Sequence, residues 1–194
     1  MAGPGLPPTY DLPGHRHMAT IMARAPTALW DDGWYAGHPT YAYPPLAHAL
    51  AAPLVRARGE DGLRLVVVAV VLATGPALYA AGRHYGGLDP TRAAAAAFAT
   101  LLAPALWRAL WFGQYPTLLA FVVFWATLAG CGALLRRPHH DLRLAVLVAL
   151  GVGLLGSIHL LPLLAVPIAL LPPALLLPWR RVLARLALPM AAGL

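Results

Sequence analysis

The longest apolar run of the chain covers residues 143–178, and it limits what the protein can be. Its breaks are Ser157-Ile158-His159 and four prolines. A helix rises about 1.5 Å per residue and needs roughly 20 residues to cross the hydrocarbon core of a bilayer. The run is therefore long enough for two crossings that turn at the Ser-Ile-His break.

The composition of the whole chain also indicates a membrane protein. Of its 194 residues, 60% are hydrophobic and 11% are charged, and the mean hydropathy is +0.67. An ordinary soluble domain has about 25% charged residues, so this chain has too little charge to cover a soluble surface. The 20 prolines and 18 glycines do not indicate disorder, because disorder also requires low hydrophobicity.

We expect an all-α, polytopic integral membrane protein with about five transmembrane helices. The predicted spans are residues 64–82, 92–110, 116–135, 143–158 and 160–178, which together form a transmembrane domain over residues 64–194. Residues 1–63 are expected to form an extracytoplasmic loop. Within that loop, residues 45–57 are too short to span a bilayer and suit a juxtamembrane helix at the interface.

The basic residues predict the orientation of these spans. All fourteen are arginine, and they cluster between apolar runs, where cations contact lipid phosphates. No basic recognition helix or RNA-binding aromatic motif accompanies them, so membrane lipids rather than nucleic acid are the expected partners. Eight arginines fall on the side that holds residues 83–92, 136–143 and 179–185. That side is predicted to be cytoplasmic, with residues 1–63 outside the cell membrane.

Three polar clusters would face the outer compartment under this topology. They are Asp11-Leu12-Pro13-Gly14-His15-Arg16-His17, residues 30–46, and Trp111-Phe112-Gly113-Gln114-Tyr115-Pro116, with His159 at the next outer turn. Asp11 and His15 are four residues apart, so they share a face if the segment is helical. Asp11 would then orient the imidazole of His15 or act as a base itself.

The first two clusters resemble a known family. An Asp-x-x-x-His element, a spacer that ends in Trp, and Gly-x-Pro-x-x-x-Tyr-Pro-Pro-Leu before an apolar helix are similar to the first extracytoplasmic loop of GT-C-type membrane glycosyltransferases. The likeness is greatest to the bacterial and archaeal membrane proteins labelled 6-pyruvoyl-tetrahydropterin synthase-related, and it covers roughly residues 10–165. Members of that group have a span before the position of Asp11 and further spans after residue 194, so we expect a truncated relative.

The resemblance implies an enzyme that takes a sugar from a polyprenyl-phosphate carrier at the extracytoplasmic face. It assigns Asp11 as the catalytic base, or as a ligand of a divalent cation such as Mg²⁺ or Mn²⁺, and His15 is the second catalytic candidate. It also places the Tyr43 turn at the start of the helix that lines the site. The residues expected to contact substrate are His38, Tyr43, Arg108, Gln114, Tyr115 and His159.

Each polar residue of the first two clusters also has a purely structural interpretation. Asp11 would cap a helix or form a turn ahead of Pro13. His15 and His17 would be solvated, since a single residue between two histidines suits a metal site on a strand better than one on a helix. Asp31-Asp32 before Gly33 is typical of a turn.

Arg108 and His159 also have a purely structural interpretation beside the functional one. Arg108 is suited to grip a lipid phosphate bidentately, but it would ordinarily extend to headgroups at the membrane surface. His159 lies between two apolar runs, where an ionisable group is a site candidate by default, or it hydrogen-bonds with Ser157 at the interface. The alternative function is therefore a non-catalytic membrane protein, such as a remnant, an assembly subunit or a small carrier.

Overall fold

In its described part, the chain folds as a set of helices with one short strand pair. The computed structural model describes residues 11–26, 30–31, 37–39, 45–137, 139 and 141–194. The helices in these ranges are α1 (Leu12–Arg24), α2 (Leu46–Arg58), α3 (Glu60–His84), α4 (Pro90–Leu101), α5 (Pro104–Trp111), α6 (Tyr115–Arg136), α7 (Leu142–Ile158), α8 (Leu160–Leu176) and α9 (Trp179–Gly193). Strands β1 (Trp30–Asp31) and β2 (His38–Pro39) pair antiparallel.

Two of these helices, α3 and α6, are long and apolar enough to cross a membrane, and α4 with α5 makes a third span if the bent pair crosses as one. The predicted helical architecture is confirmed, and these two or three candidate spans are fewer than the five that the sequence predicts. Helices α7 and α8 are also apolar but have 17 residues each. They meet at His159, where the sequence predicts the turn between two helices.

The predicted span over residues 92–110 is not one continuous helix in the structure. The structure breaks it into α4 and α5, which are bent by 45°. Pro104 is the physical reason, because proline has no N–H to donate and its ring clashes with the preceding turn. The residue before it, Ala103, is accordingly extended, with φ −62° and ψ 130°.

Helix α6 lies at the centre of the bundle and packs against α3 on one side and α7 on another. Small residues allow this close approach. Gly132 lies against the backbone at His84 and Tyr85, Gly151 lies against the Thr127 side chain, and Cys131 is buried. In lipid, such van der Waals packing replaces the hydrophobic drive that holds helices together in water.

The segment before the first predicted span differs most from expectation. Residues 12–24, expected in a loop, form α1, which has Pro13 in its first turn, where proline is tolerated. Helix α1 packs on α2, and α2 matches the predicted short helix over residues 45–57. The expected loop is therefore largely a helical hairpin in its described part.

Helix α9 was not among the predicted elements. It packs mainly along α7, and its Arg185 donates hydrogen bonds to the backbone carbonyls of Leu134, Arg137 and His139. A cation at these carbonyls satisfies acceptors that the end of α6 leaves open. This arginine therefore has a structural role besides its contribution to the charge pattern.

Candidate functional site

Asp11 connects α1 to the turn that precedes α6. Its carboxylate Oδ2 accepts a hydrogen bond from Gln114 Nε2 at 2.6 Å, and its backbone N–H donates to the Phe112 carbonyl at 3.4 Å. Gly113 has φ 73°, a left-handed conformation that glycine adopts without strain, and this turn positions Gln114. Although Asp11 occupies the N-cap position, its side chain makes no capping bond to α1. The structural interpretation of Asp11 as a cap is therefore wrong.

His15 lies one turn after Asp11 and faces a second histidine. Its Nδ1 is 3.2 Å from Nε2 of His48 on α2, so one ring donates its N–H to the lone pair of the other. Tyr115, the first residue of α6, meets both rings edge-on, with centroids 5.4 Å from His15 and 5.8 Å from His48. His48 and Tyr115 are buried. Three helices thus meet at one aromatic and imidazole cluster.

The environment of the cluster favours neutral imidazoles. Burial lowers the pKa of His48 to about 3, and the neighbouring His15 acts in the same direction. Burial also lowers the pKa of His15, which the Asp11 carboxylate opposes and His159 reinforces. Both rings are therefore neutral near pH 7, and a proton added to either one would be held in poorly solvated surroundings.

His17 points to a different partner from His15, because residues two apart on a helix lie on different sides. Its Nε2 is 2.6 Å from Oδ2 of Asp31. Asp31 is buried, at 8% exposure, and belongs to β1. Asp31 is the last residue of β1, while Asp32 and Gly33, the rest of the predicted turn, lie outside the described residues. His17 is a hydrogen-bond partner of Asp31 rather than a fully solvated side chain.

His159 lies close enough to His15 to influence its protonation. It is the extended residue between α7 and α8, it is half-buried, and burial lowers its own pKa. Its Nδ1 accepts a hydrogen bond from the Leu161 backbone N–H at 3.3 Å, whereas Ser157 donates to the Gly153 carbonyl. The interpretation of His159 as a partner of Ser157 is therefore wrong.

The remaining predicted site residues are not shown in contact with Asp11 or His15. Arg108 is exposed on α5, and its guanidinium lies 5.4 Å from the centre of the ring of Phe112, which is two residues before Gln114. His38 is described only as a backbone position of β2, opposite Asp31. Tyr43 lies outside the described residues. The structure thus brings Asp11, His15, Gln114 and Tyr115 into contact, with His159 nearby.

His48 is the residue of this cluster that the sequence analysis did not place at the site. It lies within residues 45–57, the predicted juxtamembrane helix. The alanines around His48 are the feature of the sequence that could have indicated its role. Ala47, Ala51 and Ala52 are buried on the same helix. An imidazole among buried alanines has to find a polar partner, and that partner is His15.

A divalent cation does not fit these residues. No group of three or more His, Cys, Asp or Glu side chains is positioned to hold a metal ion in the part of the chain that the structure describes. Mg²⁺ and Mn²⁺ prefer oxygen ligands, whereas the neighbours of Asp11 are an amide donor and imidazoles. The chemistry available at Asp11 is therefore proton transfer and hydrogen bonding.

Comparison of the chain with protein-family models, with curated proteins and with solved structures finds no match. The functional interpretation therefore depends on the residues themselves. The polar cluster formed by Asp11, His15, His48, Gln114 and Tyr115 is the candidate functional site.

Proposed function

We propose that this chain is a membrane glycosyltransferase of GT-C type, or a piece of one, that uses a polyprenyl-phosphate-linked sugar at the extracytoplasmic face. One observation carries the proposal: Gln114 binds the Asp11 carboxylate at 2.6 Å beside His15. A hydrogen bond to one carboxylate oxygen fixes the orientation of the group, so the other oxygen is positioned to accept a proton. This contact joins the first and third polar clusters of the sequence, which are 103 residues apart.

Asp11 is the proposed general base. It takes the proton of the acceptor hydroxyl as that oxygen forms a bond to the anomeric carbon. The bond from this carbon to the lipid phosphate oxygen then breaks, and the phosphate leaves with the electron pair. His15 offers a neutral imidazole for a hydrogen bond to the acceptor, while Arg108 and His159 contact the phosphate. No step passes through a metal ion.

The proposed topology has five spans, with α4 and α5 together as the second and α7 and α8 as the fourth and fifth. The candidate site then lies on the outer side, and Arg83, Arg92, Arg136 and Arg185 lie on the cytoplasmic side, as the arginine distribution favours. Gln114 and Tyr115 begin α6 and Arg136 ends it, which supports placing these groups at opposite membrane surfaces.

Asp11→Asn is expected to lower sugar transfer at least about 100-fold, because general base catalysis typically contributes a factor of 10² to 10⁴. Asparagine retains an oxygen that can accept the Gln114 hydrogen bond, so the variant removes the charge and leaves the contact. The measurement is single-turnover transfer from a polyprenyl-phosphate sugar donor by the full chain in detergent. Asp61→Asn, an exposed acid-to-amide change in the first turn of α3, is the control and should retain the wild-type rate.

Transfer by Asp11→Asn at the wild-type rate would remove Asp11 from the mechanism. A folded wild-type chain that transfers no sugar from any polyprenyl-phosphate donor would contradict the enzyme proposal itself. Melting temperatures of both variants, recorded alongside, separate loss of chemistry from loss of fold.

Single cysteines test the topology in a Cys131→Ser background. Pro26→Cys and Ser157→Cys are expected to react with a membrane-impermeant maleimide from the same side of sealed vesicles, and Arg92→Cys from the other side. All three native residues are exposed. Reaction of Pro26→Cys and Ser157→Cys from opposite sides is the outcome that rejects the proposed arrangement.

A non-catalytic membrane protein is the second candidate, and a specific observation favours it. The Asp11–Gln114 and His15–His48 contacts tie α1 and α2 to α6 and to each other, which is also what a structural connection would require. If this is their whole role, Gln114→Leu lowers the unfolding free energy by about 1–3 kcal/mol, because Asp11 loses the hydrogen bond that Gln114 donates. No variant of the cluster would then affect a reaction.

A further inference from the structure

A second polar feature lies where α1, α2 and the start of α3 meet. It is a cavity of about 380 Å³, and three arginines line it, Arg16 and Arg24 from α1 and Arg56 from α2. They face one carboxylate, Glu60, and the rest of the wall includes apolar Val55 and Leu63. A concave surface with this excess of guanidinium groups favours an anion, and the planar fork of arginine matches the oxygens of phosphate.

Arg56 is held in place by the fold. Its Nε donates to the Ala23 carbonyl near the end of α1 at 2.6 Å. This bond uses one of the five N–H groups of the guanidinium, so the two Nη groups remain for another acceptor. An anion-binding group that is already oriented loses less conformational freedom when its ligand arrives.

Glu60 neutralises the cavity only weakly. Its carboxylate lies 3.4 Å from Arg16 and 3.6 Å from Arg64, and the Arg16 and Glu60 side chains are 53% and 43% exposed. Exposed ion pairs of this kind contribute about 0–1 kcal/mol. A phosphate group with several acceptor oxygens can therefore replace Glu60 at Arg16.

The position of the cavity indicates where such a phosphate would come from. Helix α3 begins at Glu60 and is long and apolar enough to span a membrane, so its first turn lies near the headgroup level. The apolar side chains of Val55 and Leu63 in the cavity wall offer a surface for the part of a lipid hydrocarbon chain that follows the headgroup.

We propose that this cavity binds the phosphate headgroup of an anionic membrane lipid. Arg16 and Thr20 lie about 100–180° around α1 from Asp11 and His15, so this site is separate from the proposed catalytic one. A lipid held here contacts both helices of the hairpin and the start of α3 together. It thereby stabilises the packing that brings His15 and His48 together.

The arginines also have a simpler electrostatic explanation. Arg24 lies in the last turn of α1 and Arg56 in the last turn of α2, where cations offset the negative ends of the helix dipoles. That explanation predicts lower stability when these residues are neutralised but no dependence on lipid headgroup. The two explanations therefore differ in a measurable way.

The test uses the full chain in a neutral detergent and measures its melting temperature against added phosphatidylglycerol, phosphatidylcholine or inorganic phosphate. Phosphatidylglycerol is expected to raise the melting temperature at concentrations where the other two have no effect. Arg24→Gln and Arg56→Gln are each expected to weaken the apparent phosphatidylglycerol affinity about tenfold, since each removes hydrogen bonds to a charged group. Arg58→Gln removes the same charge from the end of α2 but lies outside the cavity lining, so its affinity should match the wild type.

Equal stabilisation by phosphatidylcholine would overturn the anionic site, and equal stabilisation by inorganic phosphate would overturn the lipid assignment. Wild-type affinity in Arg24→Gln would overturn the role of the arginines, as would an equal loss in Arg58→Gln. Arg56→Gln also loses its hydrogen bond to Ala23. If that variant fails to fold, the affinity of Arg24→Gln alone tests whether the arginines bind the lipid. Sugar transfer is not part of this readout, so the lipid site and the proposed enzyme fail independently.

Discussion

Gly132→Ala is expected to lower the stability of the protein by about 3 kcal/mol. A Cβ atom at this position would overlap the carbonyl oxygen of His84 and the Cα atom of Tyr85. These are backbone atoms at the end of α3, so no side chain can rotate away, and α3 and α6 have to separate. Overpacking costs about 1–3 kcal/mol, occasionally more, and backbone overlap places this case at the upper end.

The measurement for Gly132→Ala is thermal unfolding in detergent, where we expect a melting temperature about 6–12 °C below the wild type. Gly75→Ala is the matched control in α3, because its Cβ would meet a Leu101 side-chain carbon at an ordinary 3.5 Å. Alanine is also the better helix former by about 1 kcal/mol. A Gly132→Ala melting temperature equal to the wild type would contradict the close packing of α3 and α6.

Acidification is expected to destabilise the protein through His48. The pKa of His48 is lowered to about 3 in the folded chain, against about 6.5 for an unfolded histidine. Between these values the unfolded chain binds more protons, so the stabilisation is complete above pH 6.5 and is lost as the pH falls towards 3. The loss attributable to His48 alone is about 2–3 kcal/mol by pH 4.5.

His48→Gln isolates this contribution, since glutamine can still donate to His15 Nδ1 but does not titrate. The difference in unfolding free energy between wild type and variant should change by about 2–3 kcal/mol between pH 7.5 and pH 4.5. Protonation of carboxylates in this range affects both proteins and cancels in the difference. Parallel curves for wild type and His48→Gln would contradict the buried imidazole pair.

The helices predicted from the sequence agree best with the structure where the length of an apolar segment determines the helix. The predicted spans over residues 116–135 and 143–158 coincide closely with α6 and α7. The break inside residues 92–110 was also readable, because Pro104 cannot continue a helix. The apolar length of the run alone predicts one span.

The agreement is smallest in the polar segment before α3. Residues 12–24 have a mixed polar and apolar composition, and Pro13 and Gly14 are typical of turns, so the helix was not predicted. Packing of α1 on α2 overrides these local preferences. Once α1 is helical, helix geometry places His15 and His17 on different sides, and His17 then pairs with Asp31 of β1 rather than with His48.

The amino-acid sequence by itself determined a helical chain with segments long and apolar enough to span a membrane, because apolar segment length and the scarcity of charge are properties of the chain alone. It also marked Asp11 and His15 as a pair, since four residues make one helical turn. Only the tertiary structure decided that Gln114 binds Asp11 and that His48 binds His15. These partners are 103 and 33 residues apart. No periodicity of the chain encodes contacts that arise only when α1, α2 and α6 pack together.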